Sequence, residues 1–160
     1  MTSQIIRISL PGAGGRMGGM LVSEIARADD LSLVVATDRA GSPHIGLDAG
    51  VLAGVGPTGV LLGSDPASLF SDSDVVIDFS APEASLQHAV LASKTGKAIV
   101  IGTTGLSAEQ EAVLRQAATK TAIVYCANTS VGVTLLTQLV EQLAAQLTTG
   151  WDIEILETHH

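Results

Sequence analysis

Four glycines and one acid are the residues whose types and spacing first point to chemistry. Gly12, Gly14, Gly15 and Gly18 fall in IIRISLPGAGGRMG (residues 5–18), where an alternating apolar run stops and a helical pattern begins. Glycines at such a junction let the chain turn sharply and let a pyrophosphate approach the main chain, while the helix start offers free N–H groups and a positive dipole end. The fingerprint G-x-G-x-x-G counted from Gly12 needs glycine at 17 and meets Met17, so the spacing fits G-x-x-G-x-x-G through Gly12, Gly15 and Gly18. An ordinary turn or helix cap uses the same residues. What favours a dinucleotide site is the flanking strand and helix plus an acid about 20 residues further on. Asp38, closing the apolar run LSLVVATD, is that acid. Its carboxylate can accept hydrogen bonds from an adenosine ribose, and Arg39 beside it can pair with a 2′-phosphate. In a chain of net charge −8, Arg16 and Arg39 matter locally at a ligand site.

Length and charge narrow the function classes. With 160 residues the chain can bury a real core and makes one domain, or one domain and part of another. Its acidity and its few aromatic residues argue against a nucleic-acid partner, which needs clustered Lys and Arg and stacking platforms. A single cysteine, Cys126, cannot form an internal disulfide and reads as a small core residue. The polar start MTSQ has no basic stretch leading into an apolar signal segment, so a reducing cytoplasm is the expected compartment. The uncharged stretch 121–140 is interrupted by Asn128, Thr129, Ser130, Thr134, Thr137 and Gln138, and reads as a buried strand, a loop and an amphipathic helix rather than a membrane span.

The elements that must position these residues follow a repeating strand–helix pattern. Strands are predicted at Ile5–Leu10, Leu31–Ala36, Val75–Phe79, Lys97–Ile101 and Thr121–Tyr125, with a short one at Val60–Leu62. Helices are predicted at Arg16–Ala28, from Ser80 as N-cap to about Lys94, at Ala108–Thr119 after Ser107, and at Val131–Leu147 after Ser130. Ser64 or Asp65 is expected to start a helical turn at Pro66–Phe70. The loop 40–59 is rich in glycine, with a turn of helix near Leu47–Leu52, and has no assignable role; His44 within it reads as a solvated side chain, since no second metal-ligand residue stands at a useful spacing. His88 is expected at the surface or half-buried. Gly102-Thr103-Thr104-Gly105 follows a strand's carboxyl end, which favours a ligand loop over a plain turn. Trp151–Glu157 alternates apolar and acidic residues and predicts a strand with one buried and one wet face. That change of pattern divides the chain into residues 1–128, a dinucleotide-binding domain, and 129–160, the start of a second. The fold class is α/β: a Rossmann-like doubly wound parallel sheet, followed by the first helix and strand of a truncated α+β domain.

PGAGGRMG (11–18), VVIDFSAPE (75–83), VIGTTG (100–105), ANTSVGV (127–133) and DIEILETHH (152–160) stand in this order along the chain. Together they resemble the 4-hydroxy-tetrahydrodipicolinate reductase family, also called dihydrodipicolinate reductase, of bacterial lysine and diaminopimelate biosynthesis. The resemblance covers essentially the whole chain. It implies that Gly12, Ala13, Gly14, Gly15, Arg16 and Met17 lie against NADPH or NADH and that Asp38 and Arg39 meet the adenosine ribose. Phe79, Gly102, Thr103, Thr104, Ala127, Asn128 and Thr129 are then the cofactor-binding residues toward the nicotinamide. His159 is implied as the catalytic proton donor and His160 as a substrate-binding residue. No metal is implied.

The implied reaction is NAD(P)H-dependent reduction of 4-hydroxy-tetrahydrodipicolinate, a small-molecule dicarboxylate, to tetrahydrodipicolinate, with no nucleic-acid or membrane partner and a homotetramer at the family level. Histidine suits proton donation because both its protonation states are accessible near neutrality. In the family the two histidines precede a basic pair with a substrate-binding lysine and then a mixed substrate domain; the sequence stops at His160, so native residues cut short are expected rather than a tag remnant. Two other readings stand beside this one: a non-catalytic NAD(P)-binding module, and another Rossmann oxidoreductase acting on an amino or sugar acid. GTTG and the Glu-Thr-His-His ending weigh against the last.

Overall fold

A computed structural model of the protein describes residues 4–147, 149–156 and 158. It divides into two compact units, Met1–Ala127 and Asn128–His160. In the first, β1 (Ile6–Pro11), α1 (Arg16–Arg27), β2 (Leu31–Thr37), α2 (Ala49–Leu52), β3 (Leu62–Gly63), a 3-10 turn (Pro66–Phe70), β4 (Val75–Asp78), α3 (Pro82–Thr95), β5 (Ala98–Ile101), α4 (Ala108–Ala117) and β6 (Ile123–Tyr125) follow one another. The strands form one parallel sheet in the order β3-β2-β1-β4-β5-β6. That is the doubly wound Rossmann-like arrangement, with its reversal of direction between β1 and β4.

Two apolar clusters hold the sheet. Ile8, Leu10, Val22, Ile25, Ala36 and Leu62 join β1–β3 to α1, and Val76, Ala89, Ala92, Ile99, Ile101 and Leu114 join β4 and β5 to α3 and α4. Right-handed crossovers require this separation, because the helices change face where the strand order reverses. At the opposite end from the glycine turn, Arg7 clamps β1 to the start of β4 through two bonds to Asp74, Nη2 at 2.8 Å and Nε at 3.2 Å.

Several local expectations are corrected. Ser80 does not cap α3: its N–H and hydroxyl both bond to Asp78, and Ala81 takes the cap position with Pro82 as the first helical residue. Val124 is exposed because β6 is an edge strand with β5 as its neighbour, and Cys126 just beyond it is exposed too, not a core residue. In the second unit, Ser130 caps α5 (Val131–Gln146) through the Val133 N–H. None of α5 is buried, despite its apolar stripe. Residues 151–156 form no strand. Alternation makes a strand only where a partner supplies a ladder for its backbone groups, and none does here among the described residues.

The loop after β2 is built on one carboxylate. Asp48 accepts from the N–H groups of Gly50, Val51, Thr58 and Gly59 and from the Thr58 hydroxyl, at 2.7–3.2 Å. These bonds cap α2 and close the following turn onto it, while Gly46 N–H donates to Leu62 and Leu62 N–H to Leu47. The segment carrying His44 is thereby fastened to β3. Led by the Thr58 N–H, the same bonds hold the Asp48 carboxyl down at about 2, below its usual value near 3.8. Because the folded value is the lower one, this stabilisation is complete above the ordinary carboxylate range and disappears as pH falls toward 2. Asp48→Asn should therefore melt below the wild type near neutrality. The gap between the two melting temperatures should close in acid, between about pH 4 and 2; a constant gap would remove the ionised carboxylate as its source.

Candidate functional site

The first turn of the fold is shaped by three close approaches. Gly12 has φ +68°, a backbone that side chains with a Cβ rarely adopt, and accepts from Gly15 N–H at 3.0 Å. A Cβ on Gly18 would run into the Gly12 carbonyl and Ala13, so only glycine lets α1 start so near the turn. A Cβ on Gly14 would collide with Asp38 and His44. Gly15 is the N-cap of α1 and gives no side-chain cap, and no acidic residue occupies the first turn. The start of α1 therefore presents main-chain N–H groups and the positive dipole end beside the glycines.

A cleft of about 690 Å³ runs from this turn across the carboxyl ends of the strands. Gly12, Gly14 and Gly15 line one side, Asp38, Arg39 and His44 the end over β2, and Phe79, Ser80 and His88 the side over β4. It lies at the reversal of strand order, where open α/β sheets take their ligands, and its size suits an organic cofactor. Glycines whose added Cβ would fill the turn, an uncapped helix start and a carboxylate at the end of β2 fit a dinucleotide. Among the described residues, no group of metal-ligating side chains is assembled.

Two carboxylates stand at this edge in different surroundings. Asp38 accepts the Arg39 N–H and the Ser42 hydroxyl, each at 2.8 Å, and faces His44 Nδ1 at 3.4 Å. Burial pushes its carboxyl upward, but the bonds from Ser42, Arg39 and His44 outweigh that and hold it below the usual value. Asp78 is fully buried. It bonds His88 Nδ1 at 2.8 Å and accepts the Ser80 N–H at 2.8 Å and the Ser80 hydroxyl at 2.5 Å. Here too burial acts upward and the bonds from His88 and Ser80 prevail, leaving the carboxyl below its usual value. One turn before His88 on α3, Ser85 pairs with Thr103 at 2.7 Å, and the Phe79 ring packs over Gly102, where a Cβ would strike it.

Of the residues singled out in sequence, the cleft gathers Gly12, Gly14, Gly15, Asp38, Arg39 and Phe79. Ala13 is in the core, bonded through its N–H to Thr37, and Arg16 lines a second depression of about 380 Å³ along α1 instead. Met17, Gly102, Thr103 and Thr104 do not line the cleft; Thr103 is buried against Ser85. Nor does Ala127; Asn128 and Thr129 belong to the second unit, where Asn128 accepts the Ser130 N–H ahead of α5. His159 and His160 lie outside the described residues. Sequence reasoning missed His44 and His88. His88 is buried, not half-exposed, because α3 turns that face to the sheet and Asp78 needs a donor there; His44 is not freely solvated, because the loop tied to β3 folds it back to Asp38.

Residues 6–129 match the family described as dihydrodipicolinate reductase, N-terminus. The chain is 48% identical over 155 residues to the 4-hydroxy-tetrahydrodipicolinate reductase of Burkholderia multivorans, covering 97% of this chain and 58% of that protein. To the enzyme of the same name from Hahella chejuensis it is 45% identical over 154 residues, covering 96% and 58%. It therefore spans less than two thirds of these curated relatives. In fold it is similar to a dipicolinate-bound dihydrodipicolinate reductase from Paenisporosarcina sp. TG-14, with a TM-score of 0.70 at 23% identity over 89% of this chain and 54% of that one. The WlbA dehydrogenase from Chromobacterium violaceum, solved with NADH, is similar with a TM-score of 0.66 at 20% identity over 91% of this chain and 41% of that one.

The buried pair makes a testable statement about how the cleft wall is held. Removing His88 leaves Asp78 Oδ2 buried with neither solvent nor its donor, while Ser80 still serves Oδ1, so His88→Leu should cost about 3–5 kcal/mol in urea unfolding. Combining it with Asp78→Asn, which removes the charge left behind, should cost less than the sum of the two single changes. Additive losses would show that the two side chains do not depend on each other.

Proposed function

This chain belongs to the dihydrodipicolinate reductase family, and from that premise we propose that it binds NADH and NADPH and serves the reduction of 4-hydroxy-tetrahydrodipicolinate to tetrahydrodipicolinate. The observation that carries the reading is the cleft at the strand reversal, with the glycine turn and start of α1 on one side and Asp38 at its end. In this reading the main chain from Gly12 to Met17 meets the pyrophosphate: Arg16 and Met17 contribute N–H groups at the start of α1 rather than side chains, and Ala13, whose N–H is bonded to Thr37, holds the turn in place. Asp38 accepts from the ribose hydroxyls. Arg39, exposed on the cleft and paired with no acid among the described residues, meets a 2′-phosphate. Phe79, packed on Gly102, walls the opposite end, with Thr103 and Thr104 on the same loop and Ala127, Asn128 and Thr129 beyond β6. The bound cofactor supplies the hydride.

Proton delivery and substrate binding are assigned to the two terminal histidines, on resemblance alone. His159 donates a proton as negative charge develops on the substrate, and His160 contacts the dicarboxylate. The setting we propose is the cytoplasm and a homotetramer; no helix among the described residues is long and apolar enough to cross a membrane.

Calorimetric titration tests the cofactor site. Saturable binding of both NADH and NADPH is expected, with no more than about a tenfold preference, on the order of 1.4 kcal/mol. Gly15→Val keeps an ordinary extended backbone at φ −83° but places a branched side chain over the start of α1, and should weaken both cofactors. Arg39→Ala should weaken NADPH much more than NADH. Binding unchanged by Gly15→Val would remove the site from this turn.

A second experiment addresses the chemistry, in a chain extended to the length of the relatives. His159→Gln should lower turnover by roughly 10²–10⁴-fold with NADPH affinity almost unchanged. A turnover that survives the change would take the proton donor elsewhere.

A further inference from the structure

The loop after β2 brings to the cleft a group that neither the glycine turn nor the acid-arginine pair accounts for. His44 lines the cleft beside Gly14, its Nδ1 3.4 Å from Asp38 Oδ2, with about a third of its side chain (36%) exposed. Its backbone is held apart from any ligand: His44 N–H donates to the Ser42 hydroxyl at 3.3 Å and Leu47 N–H to the His44 carbonyl at 3.0 Å. The ring is thus presented on a fastened strap, over the glycine whose missing Cβ leaves room for it.

The hydrogen bonding of Asp38 gives that position a consequence. A carboxylate offers about four acceptor sites. The Arg39 N–H, the Ser42 hydroxyl and the His44 ring approach three of them. Two vicinal ribose hydroxyls arriving together need more room than is left, and the His44 contact, at 3.4 Å, is the longest of the three. A 2′-phosphate poses the opposite problem, since it brings negative charge toward Asp38, where Arg39 alone supplies fixed positive charge in the cleft. An imidazole has two ring nitrogens, so the His44 ring can keep Nδ1 on Asp38 and turn the other toward a phosphate oxygen.

We propose that His44 is a specificity-determining residue that favours the 2′-phosphorylated cofactor, shielding Asp38 and joining Arg39 in holding the phosphate. The proposal rests on the cofactor reading given above. It makes the choice between the two cofactors a property of the loop at 42–44 as well as of the residues at the end of β2.

The test is calorimetric titration of NADPH, NADH, adenosine 2′,5′-bisphosphate and adenosine 5′-phosphate into the whole chain and into His44→Gln and His44→Lys. The two short ligands confine the measurement to the adenosine end. His44→Gln should weaken NADPH and the bisphosphate by on the order of tenfold, the loss of one charge-assisted bond, while NADH and adenosine 5′-phosphate bind as well or better. His44→Lys should restore the preference for the 2′-phosphate. Equal weakening of all four by His44→Gln would make His44 a latch for the loop, and equal tightening would make it a plug in the cleft; either overturns the proposal. Failure of the wild type to bind any of the four would instead overturn the cofactor reading itself, and with it the role of His44. Both variants keep the backbone bonds of the strap, and far-UV circular dichroism confirms that each is folded before titration.

Discussion

The site depends on how β1 meets β4. These two strands share a ladder of only two residue pairs, Ile8 with Val75 and Ser9 with Val76. Before it, Arg7 and Asp74 lock the strands through the guanidinium and through both main chains, as Arg7 N–H donates to the Asp74 carboxylate and Asp74 N–H to the Arg7 carbonyl. After it the pairing stops, and the two chains run on into separate turns. A sheet zipped along its whole length would leave no crevice at its middle. Here the clamp at one end and the early stop at the other set the cleft above the Gly12 turn and Ser80, which stand so near each other that a Cβ on Gly12 would lie 3.7 Å from the Ser80 Cβ.

The two carboxylates beside that opening show how environment divides labour between identical residues. Asp78 ends β4 with no contact to solvent, and every bond it makes is to the protein, so its work is to fix the Phe79–Ala81 turn against α3 through His88 and Ser80. Asp38 ends β2 with part of its side chain open to the cleft, and its partners are a hydroxyl, a main-chain N–H and a ring on one loop. Both are held below the usual carboxyl value against the upward effect of burial. A saturated, enclosed carboxylate shapes a wall, whereas a partly open one can exchange partners with a ligand.

What was legible in the sequence was local. The glycine turn, the strand–helix alternation and Ser107 and Ser130 as caps all follow from short-range rules, and all are found. The errors arose where a distant group competes for a residue. Ser80 has the chemistry of an N-cap, but Asp78 two residues earlier is buried and takes its hydroxyl. His88 carries no mark in the helical pattern that tells a surface position from a carboxylate partner. Trp151–Glu157 has the alternation of a strand without a neighbour to pair with among the described residues. His44 was hidden for a related reason, since its loop is folded back by bonds between residues far apart in sequence, from 46–49 to 60–62, together with the Ser42 hydroxyl on Asp38.

The separation of the two cores carries this one step further. The cluster around Leu10 and Val22 supports the glycine turn, α1 and the end of β2, and the cluster around Val76 and Ile101 supports Phe79, α3 and Gly102. Each side of the cleft rests mainly on its own core, and the two are joined by the short β1–β4 ladder and by side chains that cross between them, Val35 of β2 packing on the second cluster and Val75 and Ile77 of β4 on the first. At that seam Ser9 is buried with its hydroxyl unpartnered, the only such side-chain atom among the described residues, so the contact that joins the halves is not the one best satisfied. A close-packed core transmits a change in volume within itself more readily than across a two-pair ladder. Substitutions around Val22 should then be felt first at the glycine turn and Asp38, and those around Ile101 first at Phe79 and Gly102, with Val35, Val75 and Ile77 carrying what passes from one end of the cleft to the other.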